Sequence, residues 1–281
     1  MRADFHLHSN VSDGKYTPQE VVRLAAAAGV RVMALTDHDT VAGIVPAQAA
    51  ARELSIRFVP GVELGTDIPF PEVHILGFFV DPGRSEFQVG LEQQRNSRVA
   101  RAQKMLEKLE GMGVHLSWEQ VRTLAAGESV GRPHIAQAIV ENGYVPTLGE
   151  AFATYIGRES PAYVKREKLT PESAVALICR GNGLAVLAHP AEIQQIDELL
   201  PRLKAAGLVG VEAYYNNYPP HVVNSILATA SRHELLPLGG SDYHGVGGND
   251  TPIGGLDIPT QVVENFLALS EERDRFCSTT G

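Results

Sequence analysis

The sequence has few cysteines, no long apolar run and no recognisable export signal. Its two cysteines, Cys179 and Cys277, are too few for a disulfide framework, and they lack the close spacing of a zinc or redox pair. No segment approaches the roughly 20 apolar residues of a membrane span, and the N-terminus lacks the apolar run of a signal peptide. We therefore expect a cytoplasmic protein that does not bind membranes.

Positive charge is also scarce. The 24 lysines and arginines are outnumbered by 33 acidic residues, which gives a formal net charge of −9. Proteins that bind duplex DNA normally present a broad basic surface, so this balance argues against such a partner. A small anionic substrate remains compatible with the composition, provided that positive charge is concentrated in one pocket.

The pattern of apolar residues indicates an α/β protein. Seven runs of strand length alternate with segments of helical period, which is typical of βα units in a parallel sheet, and their number favours a barrel. The runs are RADFHLH, VRVMALTDH, IRFVPGVEL, EVHILGFF, LAVLAHP, LVGVEAYY and LLPLGGSDYH. In the first helix, Thr17 is the expected N-cap and Pro18 occupies the first helical position.

The alternation fails between residues 82 and 168, where the sequence reads as a series of helices. A long amphipathic helix, EFQVGLEQQRNSRVARAQKMLEKLEGMG, is followed by shorter ones at SWEQVRTLAA, RPHIAQAIVENG and TLGEAFATYIG. We predict that residues 1–81 and 169–281 form the barrel, and that residues 82–168 are a helical insertion that covers the active site.

Most of the histidines fall where the predicted strands end. Of the ten histidines, six lie at or near a strand end, together with three acidic residues. In a parallel barrel these ends share one rim, so side chains that are distant in sequence converge there. Imidazole and carboxylate groups in one cluster indicate a metal centre. The candidate ligands are His6, His8, Asp13, His38, Glu63, His74, His189, Asp242 and His244.

Six stretches, in chain order, resemble the motifs of a known family. HLHSNVSDG, TDHDT, GVEL, EVHILGF, AHP and GSDYH are similar to those of the PHP family of metal-dependent phosphoesterases, named for polymerase and histidinol phosphatase. The resemblance implies a distorted (β/α)7 barrel that holds three divalent ions. The insertion resembles that of a subgroup that removes the 3′-phosphate from nucleoside 3′,5′-bisphosphates and degrades short RNA from its 5′ end.

The resemblance also implies a role for each ligand. It assigns His6, His8, Glu63 and Asp242 to the first ion, Glu63, His74 and His189 to the second, and Asp13, His38 and His244 to the third. Some relatives have a histidine in place of Asp13, which bears on metal preference. A ligand set without cysteine suits Mn, Fe, Zn or Co. We expect two to three ions, with manganese first and iron or zinc as alternatives.

Such a centre predicts phosphoester hydrolysis. Three divalent cations outweigh three carboxylates, so the pocket attracts phosphate, and bound metal lowers the pKa of water to about 7 and so supplies a nucleophile. His189 and Asp242 are the candidate catalytic residues for proton transfer to the leaving oxygen. The expected partners are a small phosphorylated nucleotide and short single-stranded RNA.

Substrate contacts are expected from the insertion. Arg132 and His134 begin a helix, where a guanidinium and free N–H groups suit a second phosphate, and Lys165 lies where the chain returns to the barrel. The basic stretch from Arg95 to Lys104 is interpreted as a helix face rather than a patch that binds nucleic acid.

Three other functions stay open at this stage. A histidinol-phosphate phosphatase would use the same chemistry. Hydrolysis of a C–N bond is disfavoured, because related barrels commonly use a carboxylated lysine where this chain has Glu63. A noncatalytic metal-holding module is also disfavoured, because the ligand set is complete.

Overall fold

The structure is a computed structural model. It describes residues 1–66, 73–127, 129–167, 169–246 and 251–279, with side chains in the last range up to residue 271. Ten α-helices and seven strands occur in these residues. Among the described residues, we find no helix with the length and apolar composition of a membrane span. The cytoplasmic location stays a prediction.

All seven expected strands are present, although several are shorter than their apolar runs. They are β1 (Ala3–Asp4), β2 (Val32–Leu35), β3 (Arg57–Thr66), β4 (Val73–Phe78), β5 (Leu184–Leu187), β6 (Leu208–Tyr215) and β7 (Leu236–Gly240). They pair in sequence order. The chain after β1 contacts the chain around β7, where a bridge joins Leu7 to Tyr243, so the sheet nearly closes into a barrel.

The expectation of a parallel sheet is wrong for one strand. Strand β4 runs antiparallel to both β3 and β5, whereas the other pairs are parallel. Only six residues separate Thr66 from Val73, and a parallel crossover needs a dozen or more. The reversal places the beginning of β4, with His74, at the rim where the other strands end.

The helices alternate with the strands outside the insertion. They are α1 (Pro18–Ala27), α2 (Ile44–Glu53), α3 (Ser85–Gly111), α4 (Trp118–Ala125), α5 (Arg132–Glu141), α6 (Leu148–Ala151), α7 (Pro171–Arg180), α8 (Ile196–Ala206), α9 (Pro220–Arg232) and α10 (Thr260–Thr279). Thr17 caps α1 as predicted: its side chain accepts from the Glu20 N–H, and the Glu20 carboxylate accepts from the Thr17 N–H. A π-helical turn, Phe152–Ile156, follows α6, and a 3-10 turn, Pro190–Glu192, follows β5.

The helical segment has an apolar core of its own. One hydrophobic cluster draws all its members from residues 99–164, including Met105, Leu109 and Ile139. The first turns of α3 pack elsewhere, because Phe87 and Leu91 belong to a cluster of the barrel. The division of the chain at residues 81 and 169 stays a prediction.

Candidate metal centre

The structure brings the nine candidate ligands together at the rim of the barrel. Three overlapping groups offer ligand atoms within 4.8 Å of one another, and the ring of His189 lies beside two of their members. The groups are His6, His8, Glu63 and Asp242; His8, Asp13, His38 and His244; and His38, Glu63 and His74. The geometry therefore agrees with the sequence in where these side chains lie, while their roles as ligands are a proposal.

The first group has the spacing of ligands around one ion. His6 Nε2 lies 3.1 Å from Glu63 Oε2 and 3.2 Å from Asp242 Oδ1. His8 Nε2 lies 3.1 Å from each of the same two oxygens. Ligand atoms about 2.0–2.2 Å from one ion lie roughly 3 Å from each other, so the four atoms suit a single dication.

Glu63 faces two groups with its two oxygens. Its Oε2 belongs to the first group, while Oε1 lies 2.6 Å from His74 Nδ1 and 3.3 Å from His189 Nε2. The two histidine nitrogens are 3.2 Å apart. A carboxylate in this position can bridge two neighbouring ions.

The group of His8, Asp13, His38 and His244 is looser. Asp13 Oδ1 lies 3.4 Å from His244 Nε2, and Asp13 Oδ2 lies 3.7 Å from His38 Nε2. His38 also approaches Glu63, with its Nδ1 3.3 Å from Oε2. The His38 ring thus belongs to two groups, the one with Asp13 and the one with Glu63 and His74.

Unpaired buried atoms show that these residues fit metal ions. His8 Nδ1 and Nε2, His38 Nδ1 and Asp242 Oδ1 are buried without a hydrogen-bond partner in the described residues. Buried polar atoms are nearly always paired, because leaving one unpaired costs about 1–3 kcal/mol. Cations at these atoms would remove that penalty, and a donor set of imidazoles and carboxylates without thiolate suits Mn, Fe or Zn.

Electrostatics keeps the acidic ligands ionised. Burial opposes charge at Glu63 and Asp242, but the neighbouring histidines hold the pKa of both carboxyl groups well below the usual range. Burial lowers the pKa of His38 to about 3, which keeps that imidazole neutral. Burial also opposes charge at His6 and His244, but the facing carboxylates raise the pKa of both, that of His244 to about 10, so a metal ion there would displace a proton. Ionised carboxylates and a neutral imidazole are the forms that bind metal.

Two residues of β6, Glu212 and Tyr215, form hydrogen bonds with the candidate ligands. The sequence did not assign either of them to the metal centre. Glu212 Oε1 lies 3.1 Å from His6 Nδ1, and Oε2 accepts a hydrogen bond of 2.9 Å from the His189 N–H. This arrangement places the His6 proton on Nδ1 and turns Nε2 toward the ligand cluster. The Tyr215 hydroxyl donates to Asp242 Oδ2 at 2.6 Å. The one sequence feature that could have pointed to Glu212 is the occurrence of a carboxylate at a buried position of an apolar strand.

The predicted substrate contacts occupy different surroundings. The Arg132 guanidinium lies 5.8 Å from the ring centroids of both Phe152 and Tyr163. His134 is buried, and its Nδ1 accepts a hydrogen bond of 2.9 Å from the Gly131 N–H. Lys165 is exposed and lines a small cavity. Their roles toward a substrate are a proposal.

The basic stretch lies on helix α3, as predicted, and two of its arginines are buried. Arg98 and Arg101 are each 8% exposed, and Arg98 Nε donates to the buried Asp39 carboxylate at 2.5 Å. Arg166 donates to the same oxygen at 2.8 Å. The insertion therefore places buried positive charge beside Asp39, the residue that follows His38.

Comparison with known proteins agrees with this geometry. The model of the PHP domain family matches residues 4–144. The chain is 35% identical over 254 residues to the 3′,5′-nucleoside bisphosphate phosphatase of Chromobacterium violaceum, and the match covers 88% of this chain and 89% of that protein. It is also 35% identical to the 5′-3′ exoribonuclease of Haemophilus influenzae, with 86% and 89% covered.

Similarity to a solved structure extends over the whole fold. A Bifidobacterium adolescentis structure assigned to the metal-dependent phosphoesterases superposes with a TM-score of 0.87 at 31% identity, and the match covers 95% of each chain. The motifs, the ligand cluster and the matched length agree, and the chain therefore belongs to the PHP family of metal-dependent phosphoesterases.

Proposed function

We propose that the protein hydrolyses the 3′-phosphate of nucleoside 3′,5′-bisphosphates, releasing the nucleoside 5′-phosphate and inorganic phosphate. We further propose that it shortens short single-stranded RNA from the 5′ end. The observation that carries the proposal is a site with two adjacent parts, a cluster of ligands for cations at the barrel rim and buried arginines from the insertion. The two curated relatives described above carry names for these two activities.

The nine ligands would hold two to three divalent ions, with manganese proposed first and iron or zinc as alternatives. Such ions lower the pKa of bound water and stabilise charge on the transferring phosphoryl group. The protein's part is to hold the ligands in place: Glu63 spans two groups, and Tyr215 and Glu212 orient Asp242 and His6.

Proton transfer to the leaving oxygen is proposed for the part of the rim that contains His189 and Asp242. The Tyr215 hydroxyl there stays protonated, because burial, followed by the charges of Asp242 and Glu212, raises the pKa of Tyr215. Its proton is directed at Asp242 Oδ2. Arg132, His134 and Lys165 are proposed substrate contacts beyond the scissile phosphate.

Phosphate release from a panel of substrates tests this proposal. The manganese-loaded protein is incubated with adenosine 3′,5′-bisphosphate, adenosine 3′-monophosphate, histidinol phosphate and a 5′-phosphorylated RNA of a few nucleotides. We expect the highest kcat/KM for the bisphosphate and stepwise shortening of the RNA. Preferential turnover of histidinol phosphate would replace the proposed substrate, and hydrolysis of none of the four would indicate a noncatalytic module.

A further inference from the structure

Asp37 is a buried carboxylate that lies outside the three ligand groups. It directly precedes the candidate ligand His38 and is 2% exposed. Its Oδ1 accepts from the Ser9 N–H at 2.7 Å and from the Ser12 hydroxyl at 2.8 Å, and its Oδ2 accepts from the Ser9 hydroxyl at 2.7 Å. A buried carboxylate without donors is unfavourable, so these three hydrogen bonds are what allows Asp37 to lie in the interior.

The two serines lie next to candidate ligands in the loop between β1 and α1. Ser9 directly follows His8, which belongs to two of the ligand groups. Ser12 directly precedes Asp13, which is the one carboxylate of the looser group. Because Asp37 itself lies next to a further ligand of that group, its three hydrogen bonds join two ligand-bearing segments that are distant in sequence.

The loop between β1 and α1 is wound about Ser9. The Ser9 carbonyl accepts from the Ser12 N–H at 3.1 Å and from the Gly14 N–H at 2.9 Å. The Ser9 hydroxyl also accepts from the Val11 N–H at 3.2 Å. Asp13 lies between two of these donors in the chain, so the same turn places its carboxylate. An anchor at Ser9 therefore sets where the Asp13 carboxylate lies.

The geometry of the looser group depends on how this loop is held. Asp13 Oδ1 lies 3.9 Å from His8 Nδ1, and Asp13 Oδ2 lies 3.7 Å from His38 Nε2. The corresponding nitrogen and oxygen atoms of the first group are 3.1–3.2 Å apart. Ligand atoms of one ion lie roughly 3 Å from each other, so an ion in the looser group must draw Asp13 inward. Loss of a partner that holds a ligand in place typically weakens metal binding by about 10- to 100-fold.

We propose that Asp37 is a positioning residue for the ion of the looser group. Its carboxylate holds the loop between β1 and α1 against the end of β2, and Asp13 thereby stays within reach of the His38 ring. In this role Asp37 contacts neither the ion nor the substrate. The inference rests on the proposed function, in which the ligands hold divalent ions, and adds the residue on which one of the ion sites depends.

Manganese binding tests this inference without relying on turnover. Metal-free protein is titrated with Mn²⁺ by calorimetry, and anomalous scattering from manganese-soaked crystals locates each ion. We expect Asp37→Ala to raise the Kd of the ion at the looser group by about 10- to 100-fold, because three donors of the loop lose their acceptor. The Kd of the ion at the first group should stay close to the wild-type value.

Milder variants and a control separate positioning from folding. Ser12→Ala removes one of the three donors, and Asp37→Asn keeps one acceptor oxygen, so both should raise the same Kd by less than Asp37→Ala does. If Asp37→Ala does not fold, these two variants decide the test. Ser270→Ala, the control, removes a buried hydroxyl of α10 that donates to the Leu267 carbonyl at 2.7 Å, and it should change neither Kd.

Three results would overturn the inference: no ion at the looser group of the wild-type protein in saturating manganese, an unchanged Kd there in the variants, or equal weakening at both groups. The last result would show that Asp37 stabilises the rim as a whole. If binding at the looser group is weakened as expected but the wild-type protein hydrolyses no phosphoester, the proposed function fails while the positioning role of Asp37 stands.

Discussion

The barrel rim and the helical insertion use buried charge in opposite ways. At the rim, carboxylates and imidazoles gather with several atoms unpaired, an arrangement that favours cations. In the insertion, Arg98 and Arg166 both donate to one carboxylate, Asp39, and within the described residues Arg101 Nε is buried without a hydrogen-bond acceptor, so positive charge exceeds negative charge there. The two regions adjoin, because Asp39 directly follows the candidate ligand His38.

The two regions also position their side chains by different means. At the rim, His189 and Asp242 lie just after strands and have positive φ, at 26° and 51°, which is strained for residues other than glycine. In the insertion, Gln94, Arg98 and Arg101 lie on one face of a regular helix. Strain at the rim indicates that ligand placement outweighs local backbone preference there.

Loss of a rim ligand should have the largest effect. His8→Ala removes a ligand atom of the first group, and we expect turnover to fall about a thousandfold or more, because a bound ion contributes several kcal/mol to transition-state stabilisation. Phosphate release measures the effect, with circular dichroism to confirm folding. His115→Ala, at an exposed histidine of the insertion, should retain wild-type turnover. Unchanged turnover in folded His8→Ala would refute the proposed centre.

Removing the Asp39 charge, which joins the two regions, should have the next largest effect, on the free energy of unfolding. Asp39→Asn leaves Arg98 and Arg166 without their buried counter-charge, and we expect unfolding free energy to fall by about 3–5 kcal/mol in urea titration. Asp81→Asn, which alters an exposed ion pair with Arg84, should change it by less than about 1 kcal/mol. A similar small loss in both variants would show that the Asp39 pair contributes little.

The same pair predicts a pH dependence. Burial opposes charge at Asp39, but Arg98 and Arg166 hold the pKa of its carboxyl group well below the usual value. A lowered folded-state pKa contributes stability above the unfolded pKa of about 4, and this is lost as pH falls toward the folded pKa. The difference between wild type and Asp39→Asn should therefore be constant from about pH 6 to 8 and narrow below about pH 4. A difference that grows in acid would contradict this sign.

Substitution of Glu212, the hydrogen-bond partner of the candidate ligand His6, should have a smaller effect. Glu212→Gln weakens the acceptor for His6 Nδ1–H, and we expect the Kd of the most tightly bound metal to rise about 10- to 100-fold in competition with a chelator. Glu198→Gln, at an exposed glutamate of α8, is the control. An unchanged Kd would mean that packing alone orients the His6 ring.

Helix caps should give the smallest effect and test whether the two regions unfold together. Thr17 caps α1 of the barrel, and Ser117 caps α4 of the insertion by accepting from the Gln120 N–H at 3.0 Å. Each alanine substitution should cost about 1 kcal/mol. If the insertion unfolds separately, Ser117→Ala will shift one of two thermal transitions and Thr17→Ala the other; a single transition shifted equally by both would show one cooperative unit.

The location of the candidate ligands at the rim could be predicted from the sequence because they lie at or near the ends of the predicted strands. Each candidate ligand follows or lies on an apolar run, and the alternation of side chains along a strand places His6 and His8 on one face. The direction of β4 was not readable from alternation alone, although the six-residue connection before it was a sufficient clue. Glu212 was missed because a lone carboxylate within an apolar strand has no partner that sequence can identify.

The sequence by itself determined the seven strands, the Thr17 cap of α1 and the set of groups able to hold metal ions, because these depend on local periodicity and residue type. Tertiary structure alone decided that Arg98 and Arg101 are buried, that Asp39 pairs with Arg98 and Arg166, and that Glu212 lies beside His6 Nδ1. The physical reason is that burial and pairing arise between segments far apart in the chain. Sequence alone does not show whether an arginine on a helix is exposed to solvent or is covered by another segment of the fold.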